Sequence, residues 1–493
     1  MPSPAPAVTA MLSRSEIVSI MGGLMLAQFI GALDQTIVAP AMPTIGRELG
    51  DAQTLPWVVT SYLLVSTAVT PLYGKLSDIH GRRVMLMIAI GTFVLGSIAC
   101  ALAPTMLLLV LARGLQGLGG GGLIALTQTI VGDIIPPKQR GNYQAYIQTT
   151  WLAAGLGGPI VGGLFAEYLH WSMIFWINLP LGLVAFLMTS SKLKRLPRHE
   201  RPHELDLLGA ALMMSMSVLL MLALNWGGVR YAWGSSTILS LFAASAVLFA
   251  ALVLRLRRAR EPLIPISVLR NKIVLNGTLA VCFAMSALMG LIIYLPIYFE
   301  TVLHLGADKS GFALLPLVVG TTTGAGIAGR LMSRMEHYKR VPMVGLSIAI
   351  VATSIIAIGG HSLPFALFEL LLAALAIGLG SLLPVATVSL QNSVPKHELG
   401  TTMALLNFLR QLGSAFAVAA FGTILIGMTT GSGAGGAHEL LLKQATENID
   451  GLATGFRILF LISAAALMVS MAFLLRMEEK PLRDARPAAA VAE

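Results

Sequence analysis

Leu33-Asp34-Gln35-Thr36-Ile37-Val38-Ala39-Pro40-Ala41-Met42-Pro43 places one carboxylate inside an apolar run that extends from Ile17 to Pro43. About 20 predominantly apolar residues in a helix cross the hydrocarbon core of a bilayer, so this run is long enough to span one. A carboxylate at the centre of such a helix costs about 2.5–3.5 kcal/mol, which makes Asp34 a functional candidate by default. The plainer alternatives are a paired structural group or a position at the water interface. What separates these readings is what the rest of the chain can bring to Asp34.

The composition sets the class. Hydrophobic residues make up 56% of the chain and charged residues 11%, against about 25% charged in soluble domains. Apolar runs of spanning length recur near 17–40, 54–74, 83–103, 105–131, 141–166, 173–190, 206–226, 236–255, 273–299, 310–330, 341–360, 363–390, 400–428 and 453–475. The expectation is an all-α polytopic membrane protein with fourteen transmembrane helices, and a soluble globular protein is excluded. The net charge of +10 is topological rather than a nucleic-acid signal. Of the 33 lysines and arginines, Arg47, Arg230, Lys309, Lys443 and Arg457 fall on one side of this span assignment, Arg113 and Arg410 fall inside spans, and the remaining 26 fall on the other side. The positive-inside rule then places both termini in the cytoplasm, which requires an even number of spans. Cys100 and Cys282 lie within spans without metal-ligand spacing, so no metal site is expected. Met1 to Ala10 has no charged n-region, so the first span is read as retained rather than as a signal peptide. Trp57, Trp171, Trp226 and Trp233 lie near outer span ends, as an interfacial aromatic belt would.

Several local patterns bear on Asp34. Arg113-Gly114-Leu115-Gln116-Gly117 puts a cation inside the fourth span, followed by Gly119 to Gly122, which permit close helix approach. Asp34 and Arg113 are the opposite charges placed well inside spans of the first half, and we expect them to face each other. The fifth span contains Gly158-Pro159-Ile160-Val161-Gly162-Gly163, small residues that make a smooth packing face with a proline that permits a kink. Between spans 2 and 3 runs Gly74-Lys75-Leu76-Ser77-Asp78-Ile79-His80-Gly81-Arg82-Arg83. Its glycines allow a tight turn, and Asp78 can accept from arginines or from a helix N-terminus across the loop. On physics alone this loop could equally be a basic topology anchor. In span 13, Asn407, Arg410 and Gln411 could line a cavity or bond between helices; Gln35 and Gln116 are further cavity candidates. The second half echoes the first. Pro136 to Gly141 opens span 5 as Pro395 to Gly400 opens span 13, and Gly329 to Arg334 ends span 10 as Gly74 to Asp78 ends span 2. Transporters are commonly built from such repeats, with the binding site between them near the midplane.

Taken together these stretches resemble the major facilitator superfamily, in its fourteen-span drug:proton antiporter branch. Gly74 to Arg83 is similar to the family's G-x-L-x-D-R-x-G-R-[KR] pattern, with Ile79 where a basic residue is usual. Arg113 to Gly117 matches R-x-x-Q-G, Gly158 to Gly163 matches the antiporter G-P-x-x-G-G, and Leu33 to Val38 resembles L-D-x-T-[IV]-V. The chain departs from the last pattern at Ala39 and Pro40. Trp171 to Gly182 resembles the start of the branch's sixth span. The resemblance implies two six-helix bundles, residues 1–190 and 263–493, with a basic linker and inserted hairpin at 191–262. It implies Asp34 and Arg113 as the proton-coupling pair, Gly74, Asp78, Gly81, Arg82 and Arg83 as a conformational-switch loop, and Gly158, Pro159, Gly162 and Gly163 as the antiporter motif.

The expected function is therefore a proton-coupled antiporter that exports lipophilic drug-like compounds by alternating access, with protons as the coupling ion and no other cofactor. A change in the separation of Asp34 and Arg113 would make proton occupancy depend on which side is open. The expected setting is the cell (inner) membrane of a bacterium, as a multi-pass monomer in the lipid bilayer, with a periplasmic adaptor protein as an open possibility. The same fold could instead export an endogenous lipid, siderophore or metabolite. A membrane enzyme or receptor has no support, since no Ser/His/Asp set or metal-spaced histidine cluster stands out among the nine histidines.

Overall fold

The computed structural model describes residues 14–51, 54–193, 205–430 and 449–482. Met1 to Ala10, most of the charged linker and most of the glycine-rich outer loop 429–452 lie outside these residues. The chain folds as a bundle of long helices. The first six are α1 (Arg14–Leu49), α2 (Trp57–His80), α3 (Arg82–Ala101), α4 (Met106–Ile134), α5 (Pro137–Tyr168) and α6 (Asn178–Lys192), the last preceded by the single turn Met173–Trp176. Then come α7 (Leu207–Trp226) and α8 (Ser236–Arg258). The second half holds α9 (Lys272–Thr301), α10 (Leu315–Met332), α11 (Arg340–Gly359), α12 (Phe365–Ser393), α13 (Leu399–Thr430) and α14 (Ile449–Arg476).

Among the described residues, thirteen helices are long and apolar enough to cross a membrane. The exception among the expected spans is α2, whose 24 residues include Ser61, Ser66, Thr67 and Thr70, all buried. Two of these hydroxyls reach neighbouring helices: Thr67 Oγ1 donates to Gln411 Oε1 of α13 at 2.7 Å. Thr70 Oγ1 donates to the carbonyls of Ser66 at 2.7 Å and of Gly121 in α4 at 3.0 Å. A helix whose polar groups are buried inside a bundle needs less apolar character than one that faces lipid all round.

Helix ends follow residue chemistry. Thr105, Asp206, Ser235 and Asn271 each accept a backbone N–H in the first turn of α4, α7, α8 and α9, as short oxygen-bearing side chains do at N-caps. Gly81, at φ 91°, makes the turn that separates α2 from α3, a conformation open to glycine at little cost. Pro40 and Pro43 lie within α1, which continues to Leu49. The departures at Ala39 and Pro40 therefore leave the helix carrying Asp34 unbroken.

The inserted pair α7–α8 packs on the outside of the bundle. Ser245 Oγ donates to the Met216 carbonyl at 3.1 Å to join the two helices, and Arg255 Nε meets Asp206 Oδ1 at 2.9 Å near their shared end. Trp226 at the end of α7 meets Trp57 at the start of α2, ring centroids 5.7 Å apart and edge to face. Trp233 Nε1 donates to Thr423 Oγ1 of α13 at 2.8 Å. The hairpin thus touches one helix from each half.

Candidate functional site

Asp34 and Arg113 face each other inside the first half, fully buried. Arg113 Nη1 meets Asp34 Oδ2 at 2.6 Å, with the side chains 1% and 0% exposed. Three further hydrogen bonds complete the cage. Gln116 Nε2 donates to Asp34 Oδ1 at 2.9 Å, Gln116 Oε1 accepts from Arg113 Nη1 at 2.6 Å, and Arg113 Nε donates to the Val58 carbonyl at 2.9 Å. The guanidinium carbon lies 4.4 Å from the Tyr62 ring centroid and 5.7 Å from that of Phe175, so aromatic faces take the cation's remaining surface. Behind Gln116, Ser97 Oγ accepts from Gln116 Nε2 at 3.3 Å and from Asn178 Nδ2 at 3.0 Å, and donates to the Phe175 carbonyl at 2.9 Å. Helices α1, α2, α3, α4 and α6 thus each contribute a polar atom to one interior network. A buried ion pair supplied with this many hydrogen bonds is one that low dielectric strengthens rather than expels.

The span-5 glycines sit directly against the helix that carries Asp34. Any Cβ at Gly158 would overlap Thr36, and one at Gly162 would overlap the Ile37 carbonyl. Thr36 Oγ1 also donates to the Ala154 carbonyl at 2.8 Å. Gly163 faces open space and Pro159 is exposed, so Gly158 and Gly162, four apart, make the contact surface. It is smooth on the α5 side.

Asp78 reaches across to the other half. Its oxygens accept from the backbone N–H of Gly400 at 3.0 Å, and from the N–H and Oγ1 of Thr401, both at 2.8 Å. These are the first residues of α13, where unpaired amides and the helix dipole favour an anion. Arg82 clamps the arrangement: its Nη1 pairs with Asp78, its Nε bonds Asp133 Oδ2 at 2.9 Å and its Nη2 donates to the Lys396 carbonyl at 2.9 Å. Arg83 Nε donates to the Ser190 carbonyl at 2.6 Å and ties α3 to the end of α6. Replacing Asp78 by Asn is expected to slow the switching of the halves while leaving ligand affinity intact, since the lost charge at a helix N-terminus costs about 0.3–1 kcal/mol. Turnover and Kd measured side by side test this; normal turnover with selective loss of affinity contradicts it.

The repeated patterns of the two halves meet crosswise. Gly400, in the first turn of α13, lies against Gly74 near the end of α2; Gly141, in the first turn of α5, lies against Gly329 near the end of α10. Between these two approaches, Gln391 Nε2 donates to the Gln128 carbonyl at 2.8 Å and Asn407 Nδ2 to Gln128 Oε1 at 2.7 Å. Thr67 Oγ1 donates to Gln411 Oε1 at 2.7 Å. The halves are therefore closed on each other at the end that bears the basic loops.

The cavity candidates divide. Gln116 is 0% exposed and belongs to the Asp34 network, not to an open space, and Asn407, at 1%, is likewise buried between helices. Gln411 bonds across the halves, and Gln35 Nε2 donates to the Gly31 carbonyl of its own helix. Arg410 is half-buried. Ser97, Asn178, Gln128 and Gln391 were not singled out from sequence; amides and hydroxyls scattered in apolar helices carry no spacing signal.

The sequence profile described as Major Facilitator Superfamily matches residues 24–418. The multidrug transporter protein MdtP of Bacillus subtilis is 31% identical over 84% of this chain and 76% of its own length. An uncharacterized MFS-type transporter of Mycobacterium tuberculosis is 30% identical over 98% of this chain and 73% of its own. Efflux pump dotC of Dothistroma septosporum is 32% identical over 82% and 71%. Among solved structures, the proton:xylose symporter XylE superposes with a TM-score of 0.64 at 16% identity, covering 96% of this chain and 98% of that one. A bacterial homologue of the iron transporter ferroportin, in an outward-facing state, superposes with a TM-score of 0.63 at 14% identity, covering 94% and 99%. These two likenesses concern the fold alone. With most of its length inside the profile, the chain belongs to the Major Facilitator Superfamily.

Proposed function

We propose that the protein exports lipophilic, drug-like compounds across the cell membrane by alternating access, exchanging them for protons carried on Asp34 with Arg113 as its partner. The observation that carries this reading is the buried Asp34–Arg113 pair, linked at 2.6 Å inside one half. A guanidinium at hydrogen-bond distance favours a charged carboxylate, and a carboxylate left in an apolar interior favours the protonated form. Sliding of α1 against the smooth α5 face changes that distance, so proton occupancy follows the side that is open. Relatives named multidrug transporter and efflux pump support the class of cargo. Inward movement of one proton across about 100 mV supplies about 2.3 kcal/mol to the exchange. Both termini and the basic loops face the cytoplasm in this reading, so the closed end described above is the cytoplasmic one.

The test is uptake of a lipophilic dye into vesicles holding the purified protein under an imposed pH gradient. Gradient-dependent accumulation that collapses on adding a protonophore is expected. Accumulation indifferent to the gradient would reject proton coupling.

A further inference from the structure

Two cations within helices have no side-chain partner among the described residues: Lys75, buried near the end of α2, and Arg410, in α13. Arg113 pairs with Asp34, Arg82 with Asp78 and Asp133, and Arg255 with Asp206. Arg140 donates to the carbonyls of Ile135 and Gly132 at 2.7 and 2.5 Å. Arg410 of α13 is half-buried, and its guanidinium has no hydrogen bond or ion pair among the described residues. At 1.5 Å per residue it lies roughly 16 Å along α13 from Leu399, about halfway through a bilayer core.

Its direction follows from its helix. Met403, Asn407 and Arg410 recur at steps of four and three and therefore share one face. Met403 Sδ lies 3.7 Å from Gln391 Nε2 of α12, and Asn407 bonds Gln128 of α4 at 2.7 Å. Arg410 is one turn further from the closed end, which places it on the face of α13 that meets the other half. Among the described residues the membrane-embedded carboxylates lie elsewhere: Asp34 and Asp78 are engaged, Glu300 Oε1 accepts from Ser310 at 2.8 Å, and Glu369, whose Oε1 has no hydrogen-bond partner, sits in the second turn of α12 at its far end. Neutral groups at the same interface also have unused capacity. The amide nitrogen and oxygen of Gln144 and the hydroxyl of Thr387, all in 0% exposed side chains, have no hydrogen-bond partner among the described residues. An unpaired guanidinium inside a membrane is retained where it meets water or a ligand.

We propose that Arg410 is the anion-binding group of the transport cavity, and that the cargo includes amphipathic acids: a carboxylate, sulfonate or phosphate on a lipophilic body. The planar fork of guanidinium donors matches two oxygens of such a group. The assignment rests on the export reading for its place in transport, but not for its place in binding. Exchange of one proton inward for one monoanion outward moves two charges in the same electrical sense, so an inside-negative potential drives both.

The experiment compares wild type, Arg410→Gln and Arg410→Lys, purified in a neutral detergent. Equilibrium binding is measured with radiolabelled taurocholate, an amphipathic sulfonate, and tetraphenylphosphonium, a lipophilic cation. Both probes are then followed in vesicles under a pH gradient. Arg410→Gln is expected to weaken taurocholate binding at least about tenfold, as loss of a charge-assisted bond does, while phosphonium binding holds or tightens and Arg410→Lys falls between. Taurocholate binding by Arg410→Gln that matches wild type overturns the assignment. So does absence of taurocholate binding in the wild type, or equal loss of both probes in a monodisperse variant. If the gradient moves phosphonium but never taurocholate, the anion site falls and export stands. If taurocholate binding depends on Arg410 yet no gradient moves either probe, the export reading falls and the site stands.

Discussion

Asp34→Asn is expected to leave a folded protein that moves substrate only down its own gradient. Asparagine keeps an oxygen to accept from Arg113 Nη1, and the guanidinium retains Gln116, the Val58 carbonyl and the Tyr62 ring. It cannot carry a proton, so pH-driven accumulation is lost outright while equilibrating exchange persists. Arg113→Ala differs in kind. It leaves Asp34 as an uncompensated buried charge and empties the space beside Tyr62, and removing one partner of a buried pair costs about 3–5 kcal/mol. That variant is expected to lose both thermal stability and transport. Thermal unfolding in detergent, run beside the vesicle assay, separates the two outcomes. Proton-driven accumulation that survives in Asp34→Asn would remove Asp34 from its role.

The second large effect is expected at the crosswise glycines. A Cβ at Gly74 would lie 2.6 Å from the Gly400 carbonyl oxygen, and one at Gly141 would lie 2.9 Å from that of Gly329. Backbone cannot swing aside as a side-chain tip can. Gly74→Leu therefore has to separate the halves at this end, and overpacking of about 1–3 kcal/mol corresponds to about a 5- to 150-fold shift between conformations. Spin labels at His80 and Lys396, both exposed at the closed end, report this as a longer distance distribution in Gly74→Leu than in the otherwise unchanged labelled protein. Identical distributions would mean the glycines do not gate the contact.

Much of this architecture is legible in one sequence because lipid imposes such strict terms. Each helix must bring about 20 apolar residues, and each charge within one must be explained. That is why Asp34 and Arg113 stand out before any coordinates. Two of the groups that position them do not: Ser97 and Asn178 are modest polar residues whose meaning lies in a meeting of α3 and α6 with Gln116 that no local spacing encodes. Asp78 is a middle case. Its capacity to cap a helix is readable, but the Gly400 N–H it caps lies 322 residues later. The pairs Pro136–Gly141 with Pro395–Gly400, and Gly74 with Gly329, are visible as an echo between halves. That each helix start meets the helix end of the opposite half follows only from the three-dimensional arrangement. The weaker apolar signal of α2 has the same origin, since Thr67 and Thr70 serve neighbours rather than lipid.

The hairpin α7–α8 has a consequence for how cargo arrives. By resting Trp226 on Trp57 and Trp233 on Thr423, it covers the flank where α2 packs against α13. The opposite flank, between α5 and α10, has no such cover among the described helices. If the export reading holds, a solute dissolved in the bilayer is expected to enter on one side alone, and substitutions on the exposed edges of α5 and α10 are expected to change which lipophilic dyes accumulate in the vesicle assay.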